Sequence, residues 1–160
     1  MSEYYFDSSA LVKLYIDETG SQWVDSIYHA VDAARRSAHQ ISFARIGIVE
    51  VAAAIARRER LGQIPPAKKP LLYARFMRDS RERFAGLDLT EEVIQLAAEL
   101  TQQMPLRGYD AVHLATALRL NQELGAAGLP GLIFVTADEQ LYQTARQQSL
   151  QVDNPALHPN

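Results

Sequence analysis

Short apolar runs alternate along this chain with longer segments whose apolar residues recur at helical spacing. The clearest run is residues 132–136, which is continuous and apolar, as expected for a strand buried in a parallel sheet. Further strands are predicted at residues 4–6, 40–43, 84–89 and 150–152. Because helical segments separate the strands, the pattern predicts an α/β fold with a central parallel sheet and helices on both faces.

The helical segments begin near residues 10, 21, 44, 70, 90, 109 and 138. In the helix that begins at Pro70, four residues are expected to face inward, namely Leu72, Tyr73, Phe76 and Met77. Its arginines point elsewhere and are a weak candidate for phosphate contact, since most such rows are simply solvated: Arg75, Arg78, Arg81 and Arg83. The Pro-containing tail from Asn154 is expected to be loose.

Four acidic residues lie at positions where a ligand site is plausible on physical grounds. Asp7 and Asp138 follow strands, and side chains at the carboxyl ends of parallel strands project into the crevice where ligands bind. Asp110 lies in the first turn of a helix. Glu50 lies inside the apolar run 46–56, where an unpaired carboxylate is costly to desolvate.

Each of these acids also has an explanation that needs no ligand. Asp7 or Ser8, and likewise Asp138, can simply cap the helix that follows. The helix dipole favours an acid at position 110 whatever its function, and Glu50 can face solvent along one edge of its helix. His113, one turn after Asp110, can ligate, shuttle a proton or hold a buried hydrogen bond. The last is favoured because no second histidine lies at ligand spacing.

Composition sets limits on the class of protein. The chain has 160 residues, 48% hydrophobic and 22% charged, which suits one globular domain spanning residues 1–160. It has no cysteine, which excludes disulfides, thiolate metal sites and a cysteine nucleophile. Residues 1–4 lack the features of a signal peptide, and the longest apolar run is too short to span a bilayer. We therefore expect a cytoplasmic protein that makes no use of a membrane.

The formal net charge of −3 would ordinarily argue against a nucleic-acid-binding domain. If cations neutralise the four acids, however, the rest of the chain is close to neutral. The charge therefore neither implies nor excludes a nucleic-acid partner.

Right-handed crossovers would bring the four acids to one edge of the sheet, in a single acidic cleft. Oxygen ligands without cysteine or paired histidine suit hard cations such as Mg²⁺ or Mn²⁺. Such ions activate water and stabilise the departing oxygen when a phosphodiester is cleaved.

Four stretches of the sequence together resemble a PIN domain: residues 6–12, 42–51, 106–117 and 135–138. The resemblance runs from about Tyr4 to Val152. No single motif is decisive, but the four in this order are specific. More narrowly, the chain is similar to the VapC-type toxins, which are small stand-alone PIN ribonucleases of prokaryotic toxin–antitoxin pairs.

This resemblance implies a PIN-like three-layer sandwich and a Mg²⁺- or Mn²⁺-dependent endoribonuclease that hydrolyses RNA. The acids that would be catalytic and bind the metal are Asp7, Glu50, Asp110 and Asp138. Supporting roles would fall to Ser8, Thr136 and His113. Members of the family are commonly homodimers, and an antitoxin inhibits them by inserting a segment, often with a basic residue, into the cleft. Residues 111–118 and the surface around Tyr73 and Phe76 leave room for such a subunit interface.

The chain departs from the family pattern at Gly108 and Tyr109 and in the Pro-rich connection 62–70, which leaves substrate and partner specificity open. Two functions from other classes fit the sequence less well. An aspartyl-phosphate phosphatase needs a second Asp two positions after Asp7, where this chain has Ser9. A PIN-fold scaffold that binds a partner without nuclease activity is disfavoured by the presence of all four acids.

Overall fold

The computed structural model describes residues 1–158 and contains one sheet of five strands in the order β3-β2-β1-β4-β5. The strands are β1 Ser2–Phe6, β2 His39–Ala44, β3 Ala85–Leu87, β4 Ile133–Val135 and β5 Gln151–Asp153. Every neighbouring pair is parallel. The predicted parallel α/β architecture is confirmed, although β3 and β4 are shorter than their apolar runs suggested.

The helices follow the strands in the predicted order. They are α1 Ser8–Leu11, α2 Ser21–His29, α3 Ile46–Arg60, α4 Lys68–Glu82, α5 Glu91–Gln103, α6 Gly108–Ala126 and α7 Glu139–Gln147. The first helix begins two residues earlier than expected, because the carboxylate of Asp7 accepts a hydrogen bond from the backbone N–H of Ala10. It continues as a 3₁₀ turn, Val12–Leu14.

The sheet separates two apolar cores, which makes the molecule a three-layer sandwich. Alternate residues of a strand point to opposite faces, so Phe6 packs with α1–α4 on one side while Tyr5 packs with α5–α7 on the other. Since β1 lies in the middle and the chain moves to its other side at β4, ligands are expected outside the carboxyl ends of these two strands.

The tail after β5 is packed, so the expectation of a loose segment from Asn154 is wrong for residues 154–158. Pro155–Leu157 form a 3₁₀ turn that the Asn154 side chain caps. The ring of His158 stacks on Trp23 with centroids 4.2 Å apart. Gly20 has φ +83°, and a Cβ there would come within 2.1 Å of the Pro155 carbonyl oxygen. Contacts with residues far away in the sequence therefore order this tail, and its last two residues lie outside the described part.

Helix α4 differs from its predicted orientation in one residue and contains a buried acid that the sequence did not reveal. Phe76 is fully buried, but Tyr73 is 46% exposed, so its predicted inward orientation is wrong. Asp79 is 2% exposed and accepts a hydrogen bond of 3.0 Å from the Tyr15 hydroxyl. Arg75 and Arg78 lie within 4 Å of its carboxylate, at 3.6 and 3.4 Å. These two arginines therefore pair with a buried acid, although the Arg78 side chain itself is 61% exposed.

Among the helices of residues 1–158, none combines the length and the apolar character that crossing a bilayer requires.

Candidate active site

Asp7 is the most buried of the four acids and lies at the carboxyl end of the central strand. It is 3% exposed. Its Oδ1 accepts hydrogen bonds from the Ser9 hydroxyl at 2.7 Å and the Ala10 N–H at 2.9 Å, and its Oδ2 accepts one from the Thr136 hydroxyl at 2.6 Å. Burial raises the pKa of Asp7, while the charge of His113 and these three hydrogen bonds act in the opposite direction.

Thr136 connects the first strand end to the fourth. The residue is fully buried directly after β4, and its hydroxyl also accepts a hydrogen bond from the Asp138 N–H at 3.1 Å. The Ser9 hydroxyl in turn accepts one from the Ala137 N–H at 2.8 Å. The two hydroxyls therefore fix the Asp7 carboxylate from both sides and hold the loop that carries Asp138 against it.

Asp138 and Asp110 lie at the starts of α7 and α6, on the same edge of the sheet. Asp138 caps its helix, because its Oδ1 accepts a hydrogen bond of 2.8 Å from the Leu141 N–H. The pKa of Asp110 is raised, mainly by burial and then by the negative charges of Asp138 and Asp7, with Arg107 and His113 opposing the shift. The negative charges of Asp7 and Asp138 thus both act on Asp110.

Glu50 joins this group through a buried histidine. Its Oε2 lies 2.6 Å from His113 Nε2, and His113 Nδ1 lies 3.0 Å from the Tyr5 hydroxyl. That hydroxyl accepts a hydrogen bond from the Ala44 N–H at 3.2 Å, so its own proton is available to His113. Since a carboxylate oxygen accepts hydrogen bonds, His113 Nε2 is the donor to Glu50. His113 is 1% exposed, in agreement with the expected buried hydrogen bond.

Lys13 brings a positive charge near the acids. It lies in the 3₁₀ turn Val12–Leu14, whose neighbours pack in the core on the Phe6 side of the sheet. Its Nζ lies 3.1 Å from a Glu18 carboxylate oxygen and donates to the Thr19 carbonyl at 2.9 Å. Burial and the neighbouring Arg58 lower the pKa of Lys13, whereas the charge of Asp7 raises it. Lys13 therefore contributes to the electrostatic environment of Asp7, although the acid that pairs directly with its ammonium group is Glu18.

The donor set fits a hard divalent cation in its chemistry, because it consists of carboxylate oxygens, of which those of Asp7 are almost fully buried. Its geometry is less complete. Within residues 1–158, no three His, Asp or Glu side chains are arranged so that they can hold a metal ion as they stand. Glu50 in particular is turned towards His113. The acids would have to adjust their side chains to coordinate one ion together.

Two site residues could have been found from spacing and were not. The serine beside Asp7 is Ser9, whereas Ser8, named from the sequence, makes no side-chain hydrogen bond within the described residues. Tyr5 lies two positions before Asp7 in the strand, which puts both side chains on the same face of the sheet. That period of two is the signal that identifies Tyr5 as a neighbour of the site.

Comparison with known proteins supports the expected resemblance. A family profile described as PIN domain matches residues 4–147. The chain belongs to the PIN domain family. A relative named Ribonuclease VapC45, from Mycobacterium tuberculosis (strain CDC 1551 / Oshkosh), is 35% identical to this PIN domain over 158 residues, which cover 97% of each chain.

Solved structures share the fold of this PIN domain. FitAcB from Neisseria gonorrhoeae superposes with a TM-score of 0.63 at 17% identity, covering 95% of this chain and 97% of that chain. A toxin–antitoxin complex from Klebsiella pneumoniae gives a TM-score of 0.60 at 18% identity, covering 95% and 97%. The three-layer PIN architecture predicted from the sequence is confirmed.

Proposed function

We propose that this PIN domain is a Mg²⁺- or Mn²⁺-dependent endoribonuclease and the toxin of a type II toxin–antitoxin pair. The observation that carries the proposal is the group of acids at one edge of the sheet. The charges of Asp7 and Asp138 act on Asp110, and Glu50 is held nearby by His113. A relative that matches along almost its whole length is named a ribonuclease, which supports the same chemistry.

The residues that would hold the metal are Asp7, Glu50, Asp110 and Asp138. A bound divalent cation would activate water and stabilise the departing oxygen of the phosphodiester. Thr136 and Ser9 orient the Asp7 carboxylate, since each donates to a different one of its oxygens. His113, held by Tyr5, keeps the Glu50 carboxylate directed inward.

The same proposal includes the partners and the place of action. It includes a cognate antitoxin as partner, RNA as the substrate, a homodimeric state and a cytoplasmic location. A protein of the same fold has been solved as a toxin–antitoxin complex, which supports the antitoxin. The acidic cleft would suit a basic side chain of that partner.

The test is cleavage of RNA by purified protein with Mg²⁺, with Mn²⁺ and with excess chelator. We expect cleavage only with the metals, because a cleft of carboxylates repels phosphate until cations neutralise it. Asp7→Asn should lower the cleavage rate at least about 100-fold. This is the order of magnitude expected when one group that stabilises charge in the transition state is lost.

The matched control is Asp25→Asn, which changes an exposed acid in α2 whose one ion pair within residues 1–158 is with His29. It should leave cleavage unchanged. Equal cleavage in chelator, or a full rate for Asp7→Asn, would contradict the proposal and favour a PIN scaffold that works by binding alone.

A further inference from the structure

An open groove of about 660 Å³ lies beside Glu50 along one side of α3. Its size is within the range of ligand-binding clefts. Beyond Glu50 its lining combines an apolar floor of Ala53, Ala54 and Leu61 with four polar side chains, namely Arg57, Arg58, Arg60 and Gln63. The groove thus connects a carboxylate of the candidate active site to a row of arginines.

The three arginines differ in how they are held. Arg58 contacts the Glu18 carboxylate and donates a hydrogen bond of 2.8 Å to Gln63, so it forms part of the wall. Arg57 and Arg60 are exposed and make no hydrogen bond or ion pair within residues 1–158. They are three residues apart, which places them on neighbouring positions of one helix face. Two positive charges are therefore available to a ligand in the groove.

The helix dipole explains only part of this arrangement. Cations near the last turn of a helix are favourable wherever the helix lies. The dipole does not account for a concave surface that has these cations on its wall and Glu50 at its other end. A ligand that lay in the groove could contact the arginines and reach the acids at the same time.

We propose that this groove binds the sugar-phosphate backbone of single-stranded RNA next to the bond that is cut, with Arg57 and Arg60 each contacting a phosphate. The inference rests on the proposed ribonuclease function and names a binding site for its substrate. Arg57 lies seven positions after Glu50, which is about 10 Å along the axis of α3. That length corresponds to about three nucleotides at the roughly 3.4 Å spacing of a stacked strand.

The groove also resolves a difficulty with the net charge. The chain carries −3 overall, and its acids repel phosphate. Arginines away from the acidic cluster would bind the flanking phosphates and hold the strand, while the acids and their cations act on one bond. Arginine suits this role because its guanidinium forms paired hydrogen bonds with phosphate oxygens.

The test measures binding of a fluorescently labelled, mixed-sequence RNA of twelve nucleotides by anisotropy at several salt concentrations. An Asp110→Asn background prevents the RNA from being consumed. Adding Arg57→Gln and Arg60→Gln should weaken binding about tenfold or more at low salt. It should also reduce the slope of log affinity against log salt by about 1.4, since each phosphate contact to a single strand contributes about 0.7.

Two matched variants control for charge and for folding. Arg36→Gln with Arg146→Gln removes two arginines outside the groove, one paired with Asp32 and one beside Tyr142, and should leave the slope unchanged. Arg57→Lys with Arg60→Lys retains both charges and should retain most of the slope. Thermal unfolding establishes that each variant is folded.

An unchanged slope in the folded Gln variant, or an equal loss in the Arg36 and Arg146 control, would overturn the inference. So would tighter binding of a poly-glutamate peptide than of RNA through the same arginines, because the groove would then be a protein-docking site. Failure of the native protein to cut RNA would contradict the proposed function, while the arginine-dependent binding of RNA would still support the groove.

Discussion

Replacing Tyr5 with Phe tests the buried connection from β1 to Glu50. The substitution removes only the hydroxyl oxygen, which accepts from the Ala44 N–H at 3.2 Å and lies 3.0 Å from His113 Nδ1. The ring can stay in place, because it stacks on Phe134 with centroids 5.3 Å apart and planes 8° apart. The change therefore isolates two hydrogen bonds and leaves the packing nearly intact.

The expected cost follows from the atoms that are left without partners. Ala44 is fully buried and His113 is 1% exposed, so water cannot replace the lost hydroxyl at either. A buried polar group left unsatisfied costs about 1–3 kcal/mol. Two such groups should lower the free energy of unfolding by about 2–4 kcal/mol, with some relief if the imidazole shifts.

Urea unfolding followed by circular dichroism measures this free energy. All variants must be compared at one protein concentration, because association would add a concentration-dependent contribution. Tyr73→Phe is the matched control, since Tyr73 is 46% exposed and its hydroxyl makes no hydrogen bond within the described residues. Its free energy should change by less than about 0.5 kcal/mol.

A double-mutant cycle of Tyr5→Phe with His113→Gln separates the pair from its surroundings. We expect a coupling free energy of about 1 kcal/mol or more, because the two side chains share one hydrogen bond. If Tyr5→Phe costs no more than Tyr73→Phe, or if the cycle gives no coupling, the hydrogen-bonded connection does not stabilise the fold. Its proposed role in holding Glu50 would then be wrong as well.

Three further substitutions test the acids. Asp110→Asn in chelator should raise the free energy of unfolding at neutral pH: the folded pKa of Asp110 lies above its ordinary 3.8, so its ionisation destabilises the fold as pH rises through that folded value. The gain should vanish below about pH 4, and a gain that persists there would refute this origin. Thr136→Val should cost about 1–3 kcal/mol and raise the pKa of Asp7 further, as read by NMR titration, since one hydrogen bond to that carboxylate is lost. Asp79→Ala should cost more than Asp79→Asn, about 2–4 kcal/mol in denaturant unfolding, because Asn can still accept from Tyr15; equal costs would show that this hydrogen bond contributes little.

Local patterns in the sequence were sufficient for most of the architecture. Strand and helix order follows from hydrophobic periodicity, and parallel pairing follows from the helices between strands. The helix expected to begin near residue 90 does so, capped by the Thr90 hydroxyl, which accepts from the Val93 N–H. The positions of Asp7, Asp138 and Asp110 at one sheet edge follow from the same topology, because each lies just after a strand or at the start of a helix.

The remaining features depend on contacts between distant segments, which periodicity does not encode. Adjacent serines at 8 and 9 look equivalent in the sequence, but the direction of the first helical turn aims only Ser9 at Asp7. Asp79 appears to be an ordinary polar position of α4 until Tyr15 is placed against it. The tail is ordered by Trp23 and Gly20, more than a hundred residues earlier.

The central position of β1 has a consequence for how activity begins during synthesis. The hydrogen bond between Thr136 and Asp7 spans 129 residues, and β1 acquires its second neighbour only when β4 has been made. A nascent chain on the ribosome that stops before Ile133 carries Asp7 at an open sheet edge and has neither Thr136 nor Asp138. Under the proposed function such a chain lacks part of the metal site, so we expect RNA cleavage to begin only when synthesis is nearly complete.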